Sequence, residues 1–318
     1  MYTRLTELLQ IQYPILQGAM AWISESRLAA AVSNAGGAGI IATGGRSVDW
    51  VTLEIRLAKM LTEKPFGVNV VLNDPNRHEV VEKICREKPA FVTMGAGNPL
   101  PFILQLKKAG IKVIPIVPSV KLARRVEEAG ADGIIIEGME SGGHVGYSTT
   151  MALLTNVVPE VSIPVISAGG IADGRGLAAA LIMGASGVQM GSRFLLAEEC
   201  IVHVNVKKKI ISASDNETVV TGYLSGHGGV RGLKNQFTEK YLELEKSGVQ
   251  RETLDALAQG RNRLSSIDGD MENGSVQVGQ SLTPLAKIQY TNEIIKEVND
   301  EAVKALKNGF ATYLKGEL

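Results

Sequence analysis

The sequence predicts a (β/α)8 barrel with a smaller, mostly helical cap inserted before the last barrel helix. Eight short apolar segments end roughly 20–30 residues apart, which is the length of one strand–helix unit in such a barrel. The stretches between them carry helix start and stop signals, and several segment ends carry polar residues or glycines. Strands that alternate with helices imply a parallel sheet, and in a closed barrel all their carboxyl ends meet on one face.

The predicted strands are continuous apolar runs, as expected when helices cover the outside of the sheet and side chains fill its inside. In chain order they are Pro14–Gln17, Ala38–Ala42, Phe66–Val70, Phe91–Met94, Val113–Val117, Ile134–Glu137, Pro164–Ala168 and Val188–Met190.

The intervening helices are recognisable by their ends. Ser24, Ser119 and Asp173 each precede a stretch with helical spacing and are predicted to begin a helix. The corresponding stop signals are glycines that follow each stretch, at Gly36, Gly130 and Gly184.

The regular alternation stops after Arg193. A more polar stretch follows, with helical segments at Phe237–Lys246 and Glu252–Ala258, and the amphipathic segment Pro284–Tyr313 is predicted to supply the eighth helix. The chain therefore divides into a barrel over residues 1–197, a cap over residues 198–280 and a C-terminal segment over residues 281–318.

Charge and cysteine content exclude some classes of protein. The 33 basic and 33 acidic residues balance, so neither a nucleic-acid partner nor a membrane surface is expected. Cys85 and Cys200 have no metal-ligand spacing, and no leader pattern or long apolar run occurs. We expect a reduced, cytoplasmic protein without a bound metal.

The ends of the last two predicted strands favour a phosphate site. Barrels often hold a phosphate there with backbone N–H groups, and Gly169, Gly170, Gly191 and Ser192 suit that role. The alternative is that these glycines only form tight turns. Met20, Gly95 and Ala168 would give narrow apolar walls for a flat ring, with Asn69 and Gln17 at its polar edge.

His144 is the sharpest candidate for catalysis. It lies in a glycine-rich loop after the sixth strand, where an imidazole can donate a proton or anchor an anion. The alternative interpretation is that His144 is an ordinary histidine on a surface loop. Glu137 ends the same strand and either binds cofactor hydroxyl groups or is a structural carboxylate. His227, between glycines of the cap, is a further candidate for the substrate cleft.

These segments resemble the FMN-dependent family of nitronate monooxygenases and enoyl-[acyl-carrier-protein] reductase II. The resemblance covers residues 3–195 and extends less clearly to residue 280. It is carried by Tyr13–Trp22, Lys64–Asn69, Gly95–Pro99, Glu137–His144, Ala168–Asp173 and Val188–Phe194.

The resemblance implies an FMN whose phosphate lies at the last two strand ends, with His144 as the catalytic residue beside the flavin. The cofactor-binding residues it implies are Gly18, Ala19, Met20, Asn69, Gly95, Glu137, Gly143, Ala168, Gly169, Gly170, Met190, Gly191 and Ser192. Ala19 departs from the pattern, because the reductases usually have a second glycine there. The extra methyl group would lie close to the flavin.

Met20–Trp22, Gly95–Pro99 and Leu233–Thr238 resemble the reductase branch more closely. This implies reduction of a trans-2-enoyl thioester on acyl carrier protein with NADH or NADPH, by a homodimer. The alternative reaction is oxidation of alkyl nitronates by O2. A flavin-binding sensor and a flavin-free barrel synthase are further alternatives. No Rossmann fingerprint is present, so the nicotinamide is expected to bind transiently in the cap cleft.

Overall fold

The computed structural model describes residues 1–226 and 228–313. Its strands are β1 (Ile15–Gln17), β2 (Ile40–Ala42), β3 (Gly67–Val71), β4 (Phe91–Gly95), β5 (Lys112–Val117), β6 (Ile134–Glu137), β7 (Gly143–Val145), β8 (Val165–Ala168), β9 (Gly187–Met190), β10 (Thr218–Thr221) and β11 (Gly229–Leu233). The eight predicted strands are confirmed, each within two residues of its predicted ends.

Eight of these strands form the barrel. They lie in the order β1-β9-β8-β6-β5-β4-β3-β2, and all neighbouring pairs are parallel. The two ends of the sheet meet through a parallel bridge between Leu16 and Ala38. The sheet therefore closes, and the carboxyl ends of all eight strands surround one opening, as predicted.

Helices surround the barrel. They are α1 (Arg4–Leu9), α2 (Ser26–Asn34), α3 (Val48–Leu61), α4 (Arg77–Glu87), α5 (Leu100–Lys108), α6 (Val120–Glu128), α7 (Thr150–Val157), α8 (Gly174–Ile182), α9 (Ser192–Leu195), α10 (Val204–Ser212), α11 (Gln236–Lys246), α12 (Arg251–Ala258), α13 (Arg261–Ser266) and α14 (Thr291–Tyr313). A 3-10 turn covers Val158–Glu160. The last helix, α14, packs on α8 and α2 and completes the outer ring.

The hydrophobic core has two layers. Inside the barrel, Leu16, Phe91 and Ile135 pack together, and Leu5 and Leu9 of α1 close the amino-terminal end. A second, larger layer lies between the strands and the surrounding helices. The closed end confines any ligand to the opposite face, where the strands end.

The predicted helix starts at Ser119 and Asp173 are confirmed. Each side chain accepts a backbone hydrogen bond, Ser119 from Leu122 and Asp173 from Arg175. The start predicted at Ser24 is wrong, because α2 begins two residues later and Glu25 holds the cap position. Ser24 is instead tied up in the turn after β1.

The segment between α9 and α14 covers the strand ends. It contains the two predicted helices, observed as α11 and α12, and two further helices, α10 and α13. It also contains β10 and β11, which form a three-stranded sheet with β7 in the order β10-β11-β7. His227 and residues 314–318 lie outside the described residues. No helix in the described ranges is long and apolar enough to cross a membrane.

Candidate active site

A single cavity of about 630 Å³ lies at the carboxyl ends of the barrel strands and beneath the α10–α13 segment. It brings together His144 and the thirteen cofactor-binding residues that the resemblance implies, but not Gln17. These are Gly18, Ala19, Met20, Asn69, Gly95, Glu137, Gly143, His144, Ala168, Gly169, Gly170, Met190, Gly191 and Ser192. Their individual roles stay predictions, but their placement around one space is a feature of the fold.

The turn after β1 is held rigidly. Gly18 donates its backbone N–H to the carbonyl of Met190 (2.8 Å), which joins the first and last strand ends. The Ser24 hydroxyl accepts from the backbone N–H of Met20 (2.9 Å), and this explains why Ser24 does not cap α2. The turn therefore presents Met20 to the cavity in a fixed position.

The prediction that Gln17 meets the polar edge of a ring is wrong. Its side chain is fully buried and does not line the cavity. The amide donates to Ser24 Oγ (2.9 Å) and accepts from the backbone N–H of Ile40 (3.0 Å). Leu16 points into the barrel, so Gln17 points outward to the layer between strands and helices, where its amide satisfies a backbone group that would otherwise be unpaired.

Asn69 does line the cavity, from the middle of β3. Its amide donates to Thr93 Oγ1 on the neighbouring strand (2.9 Å). Among the described residues, no donor reaches its side-chain oxygen. One bond therefore orients the amide, and its carbonyl side is available to a ligand.

The ends of β8 and β9 form an anion cradle. Gly169 and Gly170 both have positive φ (+96° and +72°), a conformation that favours glycine. In the described part of the chain, the backbone N–H groups of Gly170, Gly191 and Ser192 donate to no protein acceptor. These three residues are exposed or half-buried and line the cavity, so a phosphate bound there is a fitting acceptor for their N–H groups.

Gly191 shows that this cradle has room for a group. Its φ is −102°, so its backbone does not require glycine. A Cβ at this position would meet no protein atom closer than 3.9 Å, and the atoms at that distance belong to Met20. A side chain here would occupy the cavity itself. The residues present therefore fit a phosphate-bearing cofactor.

A segment that sequence reasoning missed closes the cradle from above. Gly279 donates its N–H to Ser192 Oγ (2.9 Å), and Ser281 Oγ donates to the carbonyl of Gly170 (2.7 Å). A Cβ on Gly142 would lie only 2.6 Å from the backbone of Val278. The glycines at 142 and 279 were the only sequence signal, since they permit this close approach.

Glu137 has an unusual environment at the end of β6. Burial raises the pKa of Glu137 to about 7, and the Ser141 hydroxyl lies close enough to oppose part of this rise. That hydroxyl is itself buried and lacks a hydrogen-bond partner of good geometry. At neutral pH the carboxyl is therefore poised between its neutral and charged forms, and it can either donate or accept a hydrogen bond.

Replacement of Glu137 by Gln should stabilise the protein at high pH only. The ordinary pKa of 4.5 applies to the unfolded chain, so the folded state binds the proton more tightly between about pH 4.5 and 7. In the wild type, the free-energy cost of ionising Glu137 in the folded protein is absent below this pH range and complete above it. We expect a gain on the order of 2–3 kcal/mol at pH 8 and little at pH 4.5, measured by urea unfolding. Glu63→Gln, on an exposed residue, is the control; equal effects of Glu137→Gln at both pH values would contradict the assignment.

His144 lies at the middle of β7, not on a barrel strand. Its neighbours Gly143 and Val145 are buried, whereas the His144 side chain is exposed to the cavity. The alternation of a strand thus turns the imidazole toward the space above the strand ends. Enclosure by the surrounding protein lowers the pKa of His144, so the imidazole is neutral at pH 7.

Two strained residues also line the cavity. Trp22 and Ala96 have positive φ values (70° and 57°), which are unfavourable for residues with a side chain. The Arg46 guanidinium lies between the rings of Trp22 and Trp50, 4.7 and 4.4 Å from their centroids, and donates to the Trp22 carbonyl. Such strain concentrates at functional sites. Gln189, which the sequence left unassigned, also lines the cavity and packs across Gly18.

Comparison with known proteins identifies this site's family. The family model for nitronate monooxygenase matches residues 2–85 and 76–301. The chain belongs to the nitronate monooxygenase family. Residues matched by the family model include every strand of the barrel and the cradle at β8 and β9.

Relatives within and around this family carry different names. The structure of FabK from Thermotoga maritima superposes with a TM-score of 0.95 at 45% identity, over 100% of both chains. Nitroalkane oxidase from Streptomyces ansochromogenes gives 0.85 at 26% identity, over 96% of this chain and 99% of that one. A Mycobacterium tuberculosis protein named (3aS,4S,5R,7aS)-5-hydroxy-7a-methyl-1-oxo-octahydro-1H-indene-4-carboxyl-CoA dehydrogenase is 42% identical over 75% of this chain and 68% of its own length.

The nitronate monooxygenase family membership and the FabK match make this protein a flavin-dependent oxidoreductase. The anion cradle, the free side of the Asn69 amide and the neutral imidazole surround one cavity, as such an enzyme requires. Sequence reasoning found the strand-end residues but missed Gln189, the 276–281 segment and the strained Trp22.

Proposed function

We propose that the protein is an FMN-dependent enoyl-[acyl-carrier-protein] reductase that uses NADH or NADPH. The observation that carries the proposal is the match to FabK, an enoyl-[acyl-carrier-protein] reductase II, over the full length of both chains. The nitroalkane oxidase is much more distant, at 26% identity. The relative named as a carboxyl-CoA dehydrogenase at 42% identity is consistent with an acyl thioester as substrate.

The cavity residues can be assigned to binding FMN. The donors at Gly170, Gly191 and Ser192 would hold the phosphate, and Asn69 would bind the polar edge of the ring. Glu137 would bind hydroxyl groups of the sugar-like chain through its half-protonated carboxyl. When bound, FMN supplies the hydride chemistry between a nicotinamide and the β-carbon of a trans-2-enoyl thioester.

His144 would act on the thioester. Reduction at the β-carbon places negative charge on the thioester oxygen, and a preorganised donor stabilises that charge. Because its pKa is lowered, the imidazole is neutral and donates a hydrogen bond through one ring nitrogen. The same group can orient the thioester or deliver a proton to the α-carbon. Ile23, Leu195 and Val206 form an apolar part of the cavity wall, which suits an acyl chain beside His144.

Anaerobic flavin bleaching tests the proposal. Purified protein is mixed in turn with NADH, NADPH and an alkyl nitronate, and the flavin absorbance is followed. We expect rapid bleaching by a nicotinamide, reversed by crotonyl thioester. Bleaching by the nitronate alone, with no response to either nicotinamide, would overturn the proposal.

The second candidate function is oxidation of alkyl nitronates by O2. It is favoured by a Staphylococcus aureus relative named probable nitronate monooxygenase, which is 32% identical over 93% of this chain and 96% of its own length. In that reaction His144 would accept a proton or anchor the nitronate anion. The bleaching experiment separates the two candidates. The proposal also includes a homodimer, which light scattering of the purified protein tests.

A further inference from the structure

The position of His144 is set by the cap and not by the barrel. Its strand, β7, leaves the barrel after β6 and pairs antiparallel with β11, so that His144 lies opposite Val230. We propose that Tyr223 and Arg231 are positioning residues that hold His144 over the cavity, an inference that rests on the function proposed above. Both belong to the β10–β11 hairpin, and neither lines the cavity itself.

Tyr223 holds the carboxyl end of β7. Its hydroxyl donates to the carbonyl of Gly146, two residues after His144, and its ring stacks on Tyr147 with centroids 4.8 Å apart. The close packing depends on Gly229, because a Cβ there would lie 2.3 Å from the Tyr223 ring. The ring is therefore wedged between the hairpin and the end of the His144 strand.

The turn that carries Tyr223 is fixed in its own right. Glu245 on α11 is buried, and its carboxylate accepts from the backbone N–H groups of Gly222 (3.2 Å) and Ser225 (2.9 Å). The Ser225 hydroxyl donates to the same carboxylate (2.8 Å). Charge-assisted bonds of this kind are strong, so they fix the position of the turn that carries Tyr223.

Arg231 holds the other end of the segment. It is 4% exposed and lies opposite Gly143 in the sheet. Its Nε donates to the carbonyl of Met139 (2.9 Å), and Nη1 donates to Thr218 Oγ1 (3.0 Å). Within the described residues Arg231 has no ion-pair partner at salt-bridge distance. The two hydrogen bonds are therefore the polar contacts that stabilise its buried guanidinium.

The two contacts enclose His144 between residues 139 and 146. Neither contact involves the strand ends β8 and β9, where the anion cradle lies. Loosening them should therefore move the imidazole without emptying the cradle. This separation lets a positioning role be told apart from a general loss of structure.

Tyr223→Phe tests the inference, because it removes one hydroxyl and keeps the ring. We expect unchanged flavin content and a turnover number lower by about 3- to 10-fold, from loss of one hydrogen bond. NMR titration of the four histidines should place the His144 midpoint higher than in the wild type, since a looser strand lessens the enclosure of the imidazole by the surrounding protein. Arg231→Lys, which keeps the charge and loses the two-point geometry, should act in the same direction.

Tyr290→Phe is the matched control, because Tyr290 is exposed and lies outside the cavity. It should leave turnover and all histidine midpoints unchanged. A wild-type His144 midpoint in both Tyr223→Phe and Arg231→Lys would overturn the inference, as would parallel loss of flavin and activity. The titration needs no substrate, so it tests the positioning role of Tyr223 and Arg231 even if enoyl thioesters are not reduced.

Discussion

Replacement of His144 by Ala should lower turnover of the enoyl thioester by about 10²- to 10⁴-fold, the range expected for loss of a general acid or an aligned donor. The physical reason is the orientation of the imidazole, which projects from β7 toward the cavity and is neutral at pH 7. Flavin content should not change, because the cradle donors at Gly170, Gly191 and Ser192 make no bond to His144. The measurements are steady-state turnover and the ratio of flavin to protein absorbance.

Two comparisons make the His144 result specific. His78→Ala removes an exposed histidine that contacts Phe102 on the outside of the barrel, and it should leave turnover at the wild-type level. His144→Gln keeps a hydrogen-bond donor but cannot deliver a proton at neutral pH. Substantial turnover in the Gln variant would assign His144 to orientation, and wild-type turnover in the Ala variant would exclude it from the reaction.

Sequence reasoning succeeded where the argument depended on strand ends. Parallel strands buried on both faces are continuous apolar runs, so their limits can be located to within two residues. Closure of the barrel then gathers residues as distant in sequence as Met20 and Ser192 at one opening. No contact between individual side chains was needed for that prediction.

The same reasoning failed to predict the direction in which an individual side chain points from its strand. The sequence places Gln17 and Asn69 at or next to the ends of predicted strands, and their sequence contexts do not distinguish them. The structure shows that Gln17 turns outward to bond Ser24 and Ile40, whereas Asn69 lines the cavity. Register within the barrel decides between the two directions, and a shift of one residue would reverse them.

Long-range pairing was also beyond the sequence. The three residues of β7 resemble any glycine-rich loop, and only pairing with β11, more than eighty residues later, makes them a strand. Likewise, the segment over the cradle is defined by its bonds to Ser192 and Gly170 and not by a pattern of its own. The barrel thus supplies the cradle, and the cap region supplies the position of His144.

Replacement of Gly191 by Val should weaken FMN binding at the cradle and leave the fold intact. The backbone of Gly191 has an ordinary negative φ, and an added Cβ would meet no protein atom closer than 3.9 Å, so the first atom of a side chain fits without strain. It would, however, fill the volume assigned to the phosphate. Overlap of this kind costs about 1–3 kcal/mol, or roughly 5- to 150-fold in the dissociation constant for FMN.

Gly309→Val provides the matched substitution for Gly191→Val. Gly309 lies on α14, where an added Cβ meets no atom within 4 Å, and it does not line the cavity. Both variants should unfold at similar temperatures once flavin is removed, but only Gly191→Val should lose affinity in a fluorescence titration with FMN. Because an added Cβ at 191 meets no protein atom closer than 3.9 Å, full FMN affinity in this variant would move the phosphate away from β8 and β9. FMN would then have to bind in a different part of the cavity.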